Sequence, residues 1–420
     1  MKKIFALLAF ATLLSACHKD DEPEDNTPDR TILVYLAGEN NLTNYADLDL
    51  KEMKKASKQL NNKQQLIVYV DQATSTPPFF ARIQDGEYVD SVSVEESLTA
   101  DPAVLEKALI YMRTKYPAKS YGLVVWGHGS GWILSSDSIA YARSRAYGGD
   151  TGNNSTGSAG KYWMNIPPMA RAIAKGMAGT PLTFVMGDCC SFGSIEVAYE
   201  IRNLTDYVIG SPAEVPDDGA PFDVVIPAMF NTSADFYKAV IDQYYNFYLE
   251  EYNNNPRRYY NRVPGDLQGY SVPLSVVKTS ELGTLATATA QLLSTISDKL
   301  QPEGSLDLTN KMFYAIYGNN RYSYDMYNIL KANTSAADFN TWTTAYKKTL
   351  PYYRNSLRWL TAFQVLAKEQ EQFEGQESDC GALSMFFPRT TYNNTQPKWN
   401  TAIRQFQWNN VIRWQQYGWE

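Results

Sequence analysis

Histidine is almost missing from this chain of 420 residues, which has two. His18 lies beside an N-terminal processing signal, so His128 is alone in the body of the protein. Cysteine is scarce too, with four residues, Cys17, Cys189, Cys190 and Cys380. That supply argues against zinc, because one histidine and three thiols, two of them adjacent, match no metal-ligand spacing. With Cys17 inside the leader, an odd number of thiols remains, which does not look like a disulfide scaffold. Cys189-Cys190 also lacks the CxxC spacing of thiol redox motifs. Positive charge is in short supply, with 38 Lys and Arg against 45 Asp and Glu and a net charge of −7. A nucleic-acid partner is therefore not expected. Past the leader there is no apolar run of membrane-spanning length and no internal repeat.

The N-terminus does carry a signal. Residues 1–17 read MKKIFALLAFATLLSAC, two lysines before an apolar run closed by small residues. That is the pattern of a secretory signal, too short for a mature membrane helix. Leu14-Ser15-Ala16-Cys17 resembles the lipobox of bacterial lipoproteins, which implies removal of residues 1–16 and lipidation of Cys17. Residues 17–30, acidic and Pro-bearing, cannot bury apolar area and read as a disordered tether. Lys19-Asp20-Asp21 resembles the export signal of surface lipoproteins in some Gram-negative bacteria. The expectation is an outer-membrane lipoprotein, facing the surface or the periplasm, held to the membrane by its lipid.

The body alternates buried strands with helices. Residues 31–37, 66–70, 121–126, 182–186 and 207–210 read as strands, and 45–60, 102–116, 167–177 and 194–202 as helices. Such alternation indicates βαβ units and a largely parallel sheet. Residues 79–94 read as a hairpin about Asp85-Gly86. Residues 135–161, rich in Gly, Ser and Asn, read as an exposed flexible loop. Past about residue 230 the alternation weakens into mainly helical sequence with short strands at 271–277 and 383–387. The division is a core over 31–230 and a C-terminal region over 231–420.

Two stretches stand out. Residues 121–132 are YGLVVWGHGSGW, and residues 181–196 are PLTFVMGDCCSFGSIE. In each, an apolar run of the kind that makes a doubly buried strand ends in small and polar residues. In open α/β sheets the chemistry sits at the carboxyl ends of such strands. One end offers an imidazole and the other a thiol. A neighbouring imidazole favours the thiolate and can protonate a leaving amine. Backbone N–H groups of Gly129 and Cys190 are candidate oxyanion donors, both in small-residue loops. No residue is assigned to orient His128. Glu196 reads as a helix-surface or capping carboxylate, and Cys380 as a buried structural thiol.

These blocks, with LVYLAGENNL, SPAEVPDDG and GALSMFFP, resemble the clostripain family of cysteine peptidases within the caspase-like group. The resemblance implies a caspase-like three-layer α/β sandwich with a mostly parallel central sheet and a mainly helical C-terminal region packed on it. It implies cleavage of protein or peptide chains after Arg or Lys. Laying the family's Asp-Ala-Cys-Leu-Met on residues 188–192 places the nucleophile at Cys190, with Cys189 in the small position and Ser191 and Phe192 as departures. The family puts the floor of the P1 pocket at Asp188, and Asp217 or Asp218 would add a second carboxylate. Clostripain-like enzymes are activated by cleavage in the stretch matching 135–161, which points to processing after Arg143 or Arg145. The cysteine chemistry requires no cofactor, and calcium is not readable from the sequence. An inactive peptidase-like surface protein that holds peptides or glycans is the alternative from another class.

Overall fold

A computed structural model describes residues 25–134, 147–254, 269–317, 320–361, 380–395 and 397–419. The signal peptide, Cys17, Arg143 and Arg145 lie outside the described residues. The chain enters as β1 (Arg30–Gly38), with no exposed residue, and continues through α1 (Thr43–Ser57) and β2 (Gln64–Gln72). The hairpin strands β3 (Phe79–Gln84) and β4 (Glu87–Ser93) turn through Asp85 and Gly86, both at positive φ. Next come α2 (Pro102–Lys115) and β5 (Ser120–Trp126). Asp101 starts α2 by accepting from the Ala103 N–H at 2.9 Å, with Pro102 in the first turn, where a missing N–H costs nothing.

Short strands β6 (His128–Gly129), β7 (Tyr147–Asp150) and β8 (Tyr162–Met164) precede α3 (Ile166–Met177) and β9 (Leu182–Asp188). The chain goes on through α4 (Ile195–Ile201), β10 (Thr205–Gly210), α5 (Phe222–Met229), α6 (Tyr237–Asn254), β11 (Leu274–Lys278) and α7 (Leu282–Ser294). Four two-residue strands and one of three residues follow, β12 (Ile316–Tyr317), β13 (Asn320–Arg321), β14 (Tyr324–Asp325), β15 (Tyr352–Arg354) and β16 (Ser384–Met385).

The main sheet has the order β15-β11-β10-β9-β5-β1-β2-β3-β4. Its five central strands, β10 to β2, are parallel, and antiparallel pairs flank them on both sides. Alternate residues of β1 sort into two apolar layers. Leu33 and Tyr35 pack with Leu105, Met112 and Ile173 from α2 and α3. Ile32, Val34 and Leu36 pack with Leu50, Met53, Val225 and Val240 from α1, α5 and α6. Helices therefore cover both faces, giving the three-layer α/β sandwich. Residues on both sides of position 230 share these layers, and β11 and β15 extend the same sheet.

The sequence reading of 135–161 as an exposed loop holds for residues 152–161, which are irregular and largely exposed, and fails at residues 147–150. Tyr147–Asp150 is a buried strand between β6 and β8. Gly148 and Gly149, at φ 92° and 75°, take a conformation that a larger side chain resists, and the strand lies close over the end of β1. The Tyr147 hydroxyl donates to the Tyr35 and Trp126 carbonyls at 3.0 and 3.1 Å, and Asn40 Nδ2 donates to the Gly149 carbonyl at 2.6 Å. Here glycine serves close packing, whereas composition alone suggested freedom.

Candidate active site

β5 and β9 are parallel neighbours in register, Trp126 beside Asp188, so their carboxyl ends deliver the histidine and cysteine loops to one place. The contact is tight. A Cβ on Gly129 would lie 2.7 Å from the Cys190 carbonyl oxygen and 3.0 Å from Cys189 Sγ, and one on Gly131 would lie 2.4 Å from the Ser191 carbonyl oxygen. The two glycines after His128 are needed for the loops to meet.

Ser191 takes φ 58°, a left-handed turn directly after Cys190 that costs a non-glycine residue about 1 kcal/mol. It is held by the Ser191 N–H donating to the Ala213 carbonyl and by Ser191 Oγ, 3.0 Å from the Tyr322 hydroxyl. The ring of Phe192 fills the space beside Gly187 and Gly210, where a Cβ would collide with it. From the C-terminal region, Ser384 braces the same loop, its N–H donating to the Gly193 carbonyl at 3.0 Å. The two departures from the family pattern thus have packing partners.

The adjacent thiols part company. Cys189 is buried in the α2–α3 layer, 2% exposed, whereas Cys190 is half-buried and packs on the α1–α6 side. His128 and Cys190 line one cavity of about 390 Å³ with Asn41, Asp188, Glu214, Asp217 and residues 157–159. His128 Nε2 is 2.9 Å from Asn41 Oδ1, so Asn41 supplies the orienting partner that the sequence left unassigned. The Cys190 thiol donates to Glu214 Oε2 at 3.3 Å and accepts from the Val215 N–H at 3.3 Å. Burial pushes the thiol pKa well up, and the Glu214 charge adds to it. The site as folded holds the protonated thiol. Residues 157–159 rim the cavity, tied down where the Asn41 N–H donates to the Ser158 carbonyl at 2.9 Å.

Beneath the cavity is a box of carboxylates. Asp188, 3% exposed, accepts from the Tyr244 hydroxyl at 2.7 Å and from the Ala220 N–H at 3.0 Å. Burial pushes its pKa up to about 6 against these two bonds. Asp49 of α1 accepts from the Trp126 indole N–H. Burial, then the charges of Asp188 and Glu52, hold its carboxyl well above the ordinary range. Glu52, one turn on, is pushed to about 7 by burial and then by Asp223. Asp218, half-buried, adds its charge to both Asp49 and Glu52. Gly219, at φ 62°, closes the wall, since a Cβ there would lie 2.8 Å from Asp188 Oδ2.

Glu196 is not a surface carboxylate. It is fully buried, accepts from the Phe386 N–H at 2.8 Å, and is pushed by burial to about 8. It pins the C-terminal strand region to α4 and does not line the cavity.

The sequence model of the clostripain family matches residues 34–419. The chain belongs to the clostripain family. The likeness extends to solved structures. A secreted C11 cysteine protease from Bacteroides thetaiotaomicron, in complex with an irreversible peptide inhibitor, is 27% identical with a TM-score of 0.73, covering 92% of this chain and 99% of that one. An inactive zymogen C11 protease from Parabacteroides distasonis shares the fold at 23% identity and a TM-score of 0.69, covering 92% of this chain and 98% of that one. No curated protein matches the chain. As a clostripain-family member with the caspase-like α/β fold, the protein is a cysteine peptidase that acts on protein or peptide chains.

Proposed function

We propose that the protein is an endopeptidase that cleaves after Arg or Lys, with Cys190 as nucleophile and His128 as general acid and base. The observation that carries the specificity is the carboxylate box: Asp188 lines the cavity, with the carboxyl groups of Asp49, Glu52 and Asp218 crowded close enough to act on one another. A guanidinium or ammonium group from the P1 residue would relieve that crowding, and a desolvated charge pair is the strong kind of hydrogen bond. Asp217, which lines the cavity, adds charge at its mouth.

In the reaction, His128 takes the Cys190 thiol proton on Nδ1 as the sulfur attacks the scissile carbonyl carbon and forms an S–C bond. The oxyanion is met by the N–H groups of Gly129 and Cys190. With Nε2 engaged by Asn41, Nδ1 of His128 gives its proton to the leaving amine, and the C–N bond breaks. Water then attacks the acyl-enzyme, His128 takes its proton, and Cys190 leaves. No step calls on a cofactor.

The resting site fits a latent enzyme. Burial and then the Glu214 charge push the thiol pKa up, and residues 157–159 rim the cleft. Cleavage after Arg143 or Arg145 would release the segment that leads to β7 and let residues 157–159 move. Lipid on Cys17 would hold the enzyme at the outer membrane, facing the surface or periplasm. Profiling the purified protein on a peptide library tests the reading. It predicts cleavage almost wholly after Arg and Lys, and cleavage after acidic or apolar residues would contradict it.

A further inference from the structure

A cavity of about 450 Å³ lies in the C-terminal region and shares no lining residue with the cleft. Three segments distant in sequence form it, 299–309, 321–324 and 388–390, together with Trp419. Leu306, Leu308 and Trp419 give it apolar wall. Lys299, Arg321 and Arg389 give it three cations, and no acidic side chain is among its described lining residues. The chain as a whole carries a net charge of −7, so this concavity is a local reversal of sign. Two acids occur in the 299–309 segment, and neither lines the cavity. Asp307 pairs with Lys311 at 2.8 Å, and Glu303 is exposed.

The cations are held in place from behind. Lys299 Nζ donates to the Asn333 carbonyl at 2.8 Å. Asn333 is itself buried, its side-chain amide donating to the Ile329 and Asp307 carbonyls at 2.9 and 3.1 Å. The Arg389 guanidinium donates to the Tyr324 hydroxyl. The Arg389 backbone is pinned by buried Asn400, which accepts from its N–H at 3.3 Å and donates to its carbonyl at 2.7 Å. Arg321 Cζ lies 4.7 Å from the centroid of the Phe313 ring. Both guanidinium groups act on Tyr324: burial raises its hydroxyl pKa, and the Arg389 and Arg321 charges pull it down. The bonds from Lys299 and Arg389 go to neutral oxygens, so they fix the two heads without cancelling the charge.

We propose that this cavity binds a small organic anion carrying two or more oxyanion groups, phosphate or carboxylate. A guanidinium presents its N–H donors in a fork that matches either group, and an ammonium adds a point charge. Two forks and one ammonium, on three separate segments, suit more than one oxyanion group. The apolar wall suits an organic body, and the volume falls within the roughly 300–1,000 Å³ of small-molecule sites. Heads that are already fixed lose little freedom on binding, which favours affinity. The anion would bridge the three segments. Tyr322, beside Arg321, stands 3.0 Å from Ser191 Oγ, so the bridged region is the one that braces the loop after Cys190.

The proposal is independent of the peptidase reading, because binding is read without activity. Full-length protein is titrated in a calorimeter with citrate and with fructose bisphosphate at constant ionic strength, which holds screening fixed. It is also melted with each. At least one of the two should bind once per chain with a submillimolar dissociation constant and raise the melting temperature by a few degrees at saturation. Which one binds tells carboxylate from phosphate recognition. Acetate at the same ionic strength should shift nothing. Arg389→Gln and Lys299→Gln should each weaken binding at least tenfold. If loss of the Tyr324 bond unfolds the Arg389 variant, the half-buried Lys299 position decides alone, its own melt showing that it is folded. Absence of binding by both probes at millimolar concentration would overturn the proposal, as would undiminished binding in the folded variants or an equal shift with acetate.

Discussion

Replacing Asp188 with Asn should make the protein more stable and less active at the same time. Asp188 has an ordinary pKa of 3.8 and a folded value of about 6. Between those values the folded state binds more protons than the unfolded state, so this group's contribution to stability falls as pH rises from about 4 to about 6. At about 1.36 kcal/mol per pH unit, ionised Asp188 costs the fold about 3 kcal/mol at neutral pH. Asn removes that cost but offers one acceptor where the carboxylate had two, for Tyr244 and Ala220. The lost bond returns about 1–2 kcal/mol. The net gain is about 1–2 kcal/mol, or about 1–3 °C in Tm for a chain of this size. On the activity side, the contact of a buried carboxylate with a basic P1 side chain is worth about 1.5–3 kcal/mol. Asp188→Asn should therefore lower kcat/KM on Arg peptides about ten- to a hundredfold. For the wild type, kcat/KM on Arg peptides should fall as pH drops through about 6, and that limb should flatten in the variant. Fluorogenic peptides and thermal melts read both arms. An Arg preference unchanged within about twofold would refute the pocket.

Other expectations follow from the same geometry. Cys190→Ala and His128→Ala should each abolish peptidase activity with melting temperature little changed, while Cys189→Ser keeps most of it, as rates and melts on the three variants will show. Glu214→Gln removes the charge that raises the Cys190 pKa, so the pH profile of iodoacetamide labelling should move to lower pH; an unmoved profile would count against the Glu214 contact. Incubated enzyme should yield new N-termini after Arg143 or Arg145, and an Arg143→Ala, Arg145→Ala variant should stay a single chain of low activity. Mass spectrometry of protein from its native membrane should find acylated Cys17 as the first residue, and Cys17→Ser should lose the anchor.

The strands that carry the site were legible because a doubly buried parallel strand is a run of apolar residues with an abrupt polar end. Residues 121–126 and 182–186 have that signature, and β5 and β9 follow it with boundaries shifted by one or two residues. The starts of α2 and α4 were legible to within one residue from the same alternation of strands and helices. Asp49 was missed although its position carried a signal. Ala46, Asp49, Leu50 and Met53 fall on one stripe of α1, so a carboxylate stood on a face that had to be buried. Asn41 and Glu214 left no such trace. Both lie in loops, and their partners, 87 and 24 residues away, are set by the topology of the sheet. Residues 147–150 were misread because glycine content reports conformational freedom without saying whether tight packing uses it.

Joint action of Cys190 and His128 on chains presenting a basic side chain is tested by covalent labelling of the processed, reduced protein with an arginine peptide bearing a thiol-reactive group, followed by peptide mapping. One adduct per chain is expected on Cys190, suppressed in His128→Ala and slowed in Asp188→Asn. An adduct on Cys189, or labelling equally fast with an acidic peptide, would contradict it.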